Sequence, residues 1–151
     1  MKSILKKQYV GIISAFLFIL LGAFSMYGQS YPQSMLINKE WVIRIPGKSF
    51  YSINLYTDGE VITKMFVDGV MADTVLKKPY YLSDVIVDKF EPDFVANSKS
   101  GKYIVVLHKD KDGKESVMLL EILELTDIYL KTKHLENGGI AEYRVENEEV
   151  K

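Results

Sequence analysis

Glycine-bearing turn signals cut this chain at short, even intervals. Pro46-Gly47, Asp58-Gly59, Asp68-Gly69, Asp112-Gly113 and Asn137-Gly138 each mark a reversal, and Asp-Gly or Asn-Gly between apolar runs is the strongest short-range hairpin signal. The runs between them alternate rather than following a helical period. Trp41, Ile43 and Ile45 alternate with Val42 and Arg44, and Tyr51, Ile53 and Leu55 alternate with Ser52 and Asn54. A period of two is that of a strand with one face on a core. A chain punctuated in this way is confined to antiparallel sheet.

The predicted strands follow in order. The first covers residues 41–45, and residues 51–67 form a hairpin about Asp58-Gly59. A fourth strand joins Val75-Leu76 to the segment "PYYLSDVIV", with Pro79 at its entrance, where a missing N–H is tolerated. Asp88 to Gly101 reads as a long loop with a helical turn before Pro92. Then come Tyr103–His108, Glu115–Leu125, Ile128–Lys133 and Ile140–Glu146. About eight antiparallel strands at this spacing point to a sandwich or an up-and-down barrel, and eight strands close around side chains or one small ligand. No repeat or linker divides the run, so one all-β domain is expected over residues 31–151, its core at about 36–147.

Residues 1–30 read differently. "MKSILKK" carries three lysines and no acid, Val10 to Met26 is an apolar run, and small residues follow at Gly28 and Ser30. That is the layout of a cleaved secretory signal peptide, with cleavage after Gly28 or Ser30. A retained anchor is the competing reading, because this run sits at the short edge of bilayer-spanning length and lacks a basic flank after it. The chain has no cysteine, which excludes acylation of a thiol and leaves no disulfide to staple an exported domain. The predicted address is therefore the periplasm or the cell exterior, with no stable membrane insertion after cleavage.

Removing residues 1–30 leaves 16 Lys plus Arg against 20 Asp plus Glu, a net charge of −4. Nucleic-acid partners are excluded, since phosphate recognition needs concentrated positive charge.

Three segments carry a resemblance to a family. "LINKEWVI" opens the first strand on the lone tryptophan, "EILELTDIYLK" breaks two late strands at Thr126-Asp127, and "EYRV" places an arginine after an aromatic in the last strand. In these, over most of residues 34–147, the chain resembles the small lipocalin-like proteins exported by Bacteroidetes-type bacteria. The resemblance implies an eight-stranded lipocalin-like barrel closed between its first and last strands. It also implies that Arg144 lies across the Trp41 indole at the closed end, a contact suited to a flat guanidinium. One departure is Lys39, which stands where lipocalins prefer Gly.

Catalytic chemistry is sparse. His108 and His134 fall at strand ends beside lysines and acids, where a solvated rim histidine is expected, and no orienting partner is signalled. "DKDGKE" at Asp110–Glu115 lacks the full twelve-residue calcium pattern and reads as a hairpin tip. No enzyme activity, metal or cofactor is expected. The aromatics are more informative. Tyr80, Tyr81, Phe90 and Phe94 crowd the irregular middle of the chain, and aromatic walls with a few hydroxyls suit a small hydrophobic or amphipathic ligand. Two readings stay open. An open barrel would be a carrier, with those four residues lining its mouth. A plugged barrel would be an interaction module for an envelope protein, working through its outer surface, the Asp88–Gly101 loop and the acidic tail "ENEEVK".

Overall fold

In the computed structural model, which describes residues 28–146, the chain is built of ten strands. They are β1 (Tyr31–Pro32), β2 (Glu40–Arg44), β3 (Phe50–Tyr56), β4 (Glu60–Val67), β5 (Val70–Ser83), β6 (Ser100–Gly101), β7 (Tyr103–Lys109), β8 (Glu115–Leu125), β9 (Tyr129–His134) and β10 (Ile140–Val145). Single 3-10 turns cover Gln33–Met35 and Pro92–Phe94. β1 and β6 form a two-stranded side sheet, and the other eight close into an antiparallel barrel in which β10 pairs with β2. The alternation and the turn signals thus produce the all-β fold they predict, and of the two architectures they leave open the chain adopts the eight-stranded barrel that the resemblance implies. Residues 1–27 of the expected signal peptide and the residues after Glu146 lie outside the described residues. Among the described residues no helix is long and apolar enough to cross a membrane.

The turns explain why the register holds. Asp68 (φ 51°) and Gly69 (φ 77°) join β4 to β5 with only two residues, the geometry of a mirror-image turn that matches strand twist. At the β7–β8 tip, Asp110 Oδ1 accepts from the backbone N–H groups of Asp112 and Lys114, both at 2.9 Å. That carboxylate is spent on its own loop, as a hairpin tip requires.

β5 departs from the expected strand. It is 14 residues long, starts directly after Gly69, and carries Pro79 in its interior rather than at its entrance. The reason is an exchange of partners. Val70–Pro79 pairs with β4, with a register shift opposite Lys64–Phe66, whereas Tyr80–Ser83 pairs with β7. Tyr80 N–H still donates to Gly59 O at 3.0 Å. Pro79 therefore sits where the β7 ladder stops, a place where an absent N–H breaks no bond. Beyond it the wall parts, and a cleft of about 400 Å³ lies between Leu76–Pro79 and Leu107–Lys109. The helical turn is also displaced: it begins at Pro92 rather than preceding it, because proline suits the first helical position.

The barrel closes where Trp41 and Arg144 lie, but not by their stacking. In the β2–β10 ladder Trp41 pairs with Val145 and Arg144 with Val42. Successive strand residues face opposite sides, so Trp41 is fully buried in the core and Arg144 is exposed. The Arg144 guanidinium lies over Tyr129 at 5.2 Å, while Trp41 has Lys39 Nζ at 5.8 Å from its ring. The other arginine braces the seam. Arg44 meets Glu146 through two bonds of 2.7 and 2.9 Å and lies 4.2 Å over Tyr51, which stacks on Phe66. Hydrogen bonding to Arg44 holds the Glu146 carboxyl below its ordinary range. Arg144→Ala should accordingly lower stability by less than about 1 kcal/mol in thermal melts; a loss of several kcal/mol would restore Arg144 as a core closure.

Candidate functional site

The inward positions of the barrel sort into a solid floor and an open upper half. The floor is set by the segment before β2. Gln33, itself buried, donates from Nε2 to Asp58 O at 2.9 Å and to Tyr80 Oη at 3.0 Å, and Tyr80 Oη donates to Thr57 O at 2.7 Å. Trp41 Nε1 donates to Leu36 O at 2.8 Å. Leu36, Ile104, Ile122 and Leu130 complete this plug. β8 contributes twice through its register shift between Ile122 and Glu124, which lets both Ile122 and Leu125 face the core. Burial pushes the Tyr80 hydroxyl up to about 12, so it stays protonated and remains a donor.

Above the floor lies a cavity of about 340 Å³. Val61, Val106, Met118, Leu120 and Ala141 give it apolar walls, and Asn54, Thr63, Thr132 and Tyr143 add polar atoms. Two of these polar groups are matched to each other. Thr63 Oγ1 donates to Asn54 Oδ1 at 2.7 Å, and the Tyr143 hydroxyl is raised by burial, an effect that neighbouring Thr132 offsets in part. The Tyr56 phenol is fully buried and held far above its ordinary value for the same reason. Mostly apolar walls with a few polar groups, in a space of this size, are features that small-molecule sites share.

The rim is basic. Lys78, two residues before Tyr80, faces the same interior, and its Nζ donates to His108 Nδ1 at 3.0 Å. His134 also lines the cavity, with Nδ1 buried and without a hydrogen-bond partner among the described residues. Both histidines are half-buried and line the mouth rather than being solvated side chains outside it. A second space of about 680 Å³ lies over this rim, sharing Lys78, Met118 and His134 with the cavity and bounded by Ile86 and Glu136.

The four aromatics expected to line a mouth are not brought together there. Tyr80 points inward to the floor, and its neighbour Tyr81 necessarily points outward. Tyr81 is buried from outside by Phe90 and Phe94, with ring centroids at 5.2 and 5.5 Å. The Asp88–Gly101 loop is thus a cover on the outer wall, and none of these four residues lines the 340 Å³ cavity. The residues that do, Lys78, Thr132, His134 and Tyr143 among them, and His108 on the rim above, are legible only by counting alternate positions from a known inward residue. Lys78 is two from Tyr80 and His108 two from Val106. No protein-family model, no curated protein and no solved structure matches the chain.

Proposed function

We propose that the chain is an exported, lipocalin-like binding protein that holds one small amphipathic molecule inside its barrel. The observation that carries this is the cavity: closed below by Trp41, Leu36 and Tyr80, apolar along its walls, and bounded above by polar side chains. Its volume of about 340 Å³ falls within the range of small-molecule sites. A binding rather than catalytic role is supported by the lining itself. Among the described residues it contains no carboxylate, and its Thr63 hydroxyl is already spent on Asn54. Export rests on the basic, apolar and small-residue layout of residues 1–30.

A second reading, an envelope protein partner, is favoured by one feature. The tip of the β4–β5 hairpin exposes Val67, Val70 and Met71, and clustered exposed apolar residues mark interaction surfaces. Native mass spectrometry of protein purified from its own cell envelope separates the two. A small adduct that is lost on mild denaturation is the expected result. A bare monomer mass, or a second polypeptide in its place, would overturn the carrier reading.

A further inference from the structure

We infer that the molecule held in the barrel carries a single carboxylate head, seated at Lys78 beside His108 and His134, with its tail on the apolar wall below. This rests on the carrier reading of the same cavity and says what chemistry that cavity selects.

The position of Lys78 is forced by the fold. It pairs with Val61 across the β4–β5 ladder, and paired residues share a face. Val61 is buried in the core, so Lys78 faces inward with it. A cation held in a half-enclosed apolar space is unfavourable unless an anion or hydrogen-bond acceptors compensate it. Among the described residues that line the cavity there is no carboxylate. The other interior-facing groups at this level are Asn54, Thr63, Met118, Thr132, His134 and Tyr143, and none is an acid. The ion pairs among the described residues engage Lys39, Arg44, Lys64, Lys99, Lys102, Lys109 and Lys131, all without Lys78. Its one side-chain partner, His108 Nδ1, is uncharged while it accepts that bond. Lys78 is therefore the charged group that the described lining presents to whatever occupies the cavity.

The polarity of the site then orients its ligand. Lys78 and His134 lie at the end shared with the rim space, while Val61, Val106 and Leu120 line the cavity. A head that accepts from an ammonium and approaches the buried His134 Nδ1, followed by an unbranched apolar tail, satisfies both halves. A cationic head meets like charge. The one acid near the mouth, Glu136, is exposed on the β9–β10 turn.

Isothermal titration calorimetry of the full exported chain with decanoate, decanol and decyltrimethylammonium tests this. These probes share a tail and differ in head. Decanoate should bind about tenfold more tightly than decanol, the magnitude of one charge-assisted hydrogen bond, with the ammonium weakest. Lys78→Met should bring decanoate and decanol to within about twofold, and Lys78→Arg should restore the difference. If Lys78→Met does not fold, Lys78→Gln carries the same comparison. Equal binding of decanoate and decanol by the native chain overturns the carboxylate head and leaves the carrier standing. A preference that survives in Lys78→Met overturns the assignment to Lys78. Binding of none of the three overturns the carrier reading itself.

Discussion

Trp41→Ala is expected to remove about 3–5 kcal/mol of stability, out of a margin of about 5–15 kcal/mol for a domain of this kind. The melting temperature should fall by on the order of 10–20 °C. Trp41 is fully buried and is the largest side chain of the floor. It stands opposite Val145 where the last strand meets the first, and its indole N–H satisfies the Leu36 carbonyl. Truncation therefore opens a cavity at the one place where the barrel has both a seam and a plug. Trp41→Phe separates the two contributions. It keeps an aromatic ring and loses the donor to Leu36, at about 1–3 kcal/mol. Urea melts of the three proteins measure both effects. A Trp41→Ala midpoint within a few degrees of the native one would show that the floor is held by Leu36, Tyr80 and Gln33 without the indole.

Ala141→Trp is expected to abolish ligand binding, a loss of about hundredfold or more, while leaving the melting temperature near its native value. Ala141 lines the cavity between Tyr143 and the β9–β10 turn, and its backbone pairs with Thr132 on β9. A ring placed there enters a space of about 340 Å³, so it occupies the tail's volume instead of overpacking a filled core. Calorimetry with decanoate and a thermal melt together decide the matter. Unchanged affinity in a folded Ala141→Trp protein would move the ligand out of the barrel to the space over the rim, where Ile86 and Glu136 lie.

What could be read from the residues, and what could not, follows from the physics of strands. Alternation and turn glycines are local properties. They sufficed to place β7 and β8 within a residue of their observed limits, whereas closure between β2 and β10 was implied by the family resemblance and not by any local pattern. Facing is a property of parity, and adjacent residues in a strand never share a face. The grouping of Tyr80 with Tyr81 failed on that rule, and so did the stack of Arg144 on Trp41, once the ladder paired Trp41 with Val145. β5 was harder still. Its exchange of partners at Pro79 and its register shift opposite Lys64–Phe66 depend on strands distant in sequence, which no local pattern encodes. The basic rim was missed for a related reason: Lys78, His108 and His134 lie on three strands, and only barrel closure brings them to one mouth.

The parting of the wall beyond Pro79 also bears on solubility. From Val70 to Lys78, β5 is laddered to β4 alone, and its other edge presents unpaired backbone groups beside exposed Val70, Met71, Val75 and Leu76. Such an edge templates the addition of strands from other chains, the first step of sheet-to-sheet aggregation. Asp73 and Lys77 interrupt this apolar edge, the register shift bends it, and Pro79 denies a donor at its inner end. Those are the standard defences of a natural sheet edge. The same short sequence at which the wall parts thus carries the features that discourage copies of the protein from zipping together.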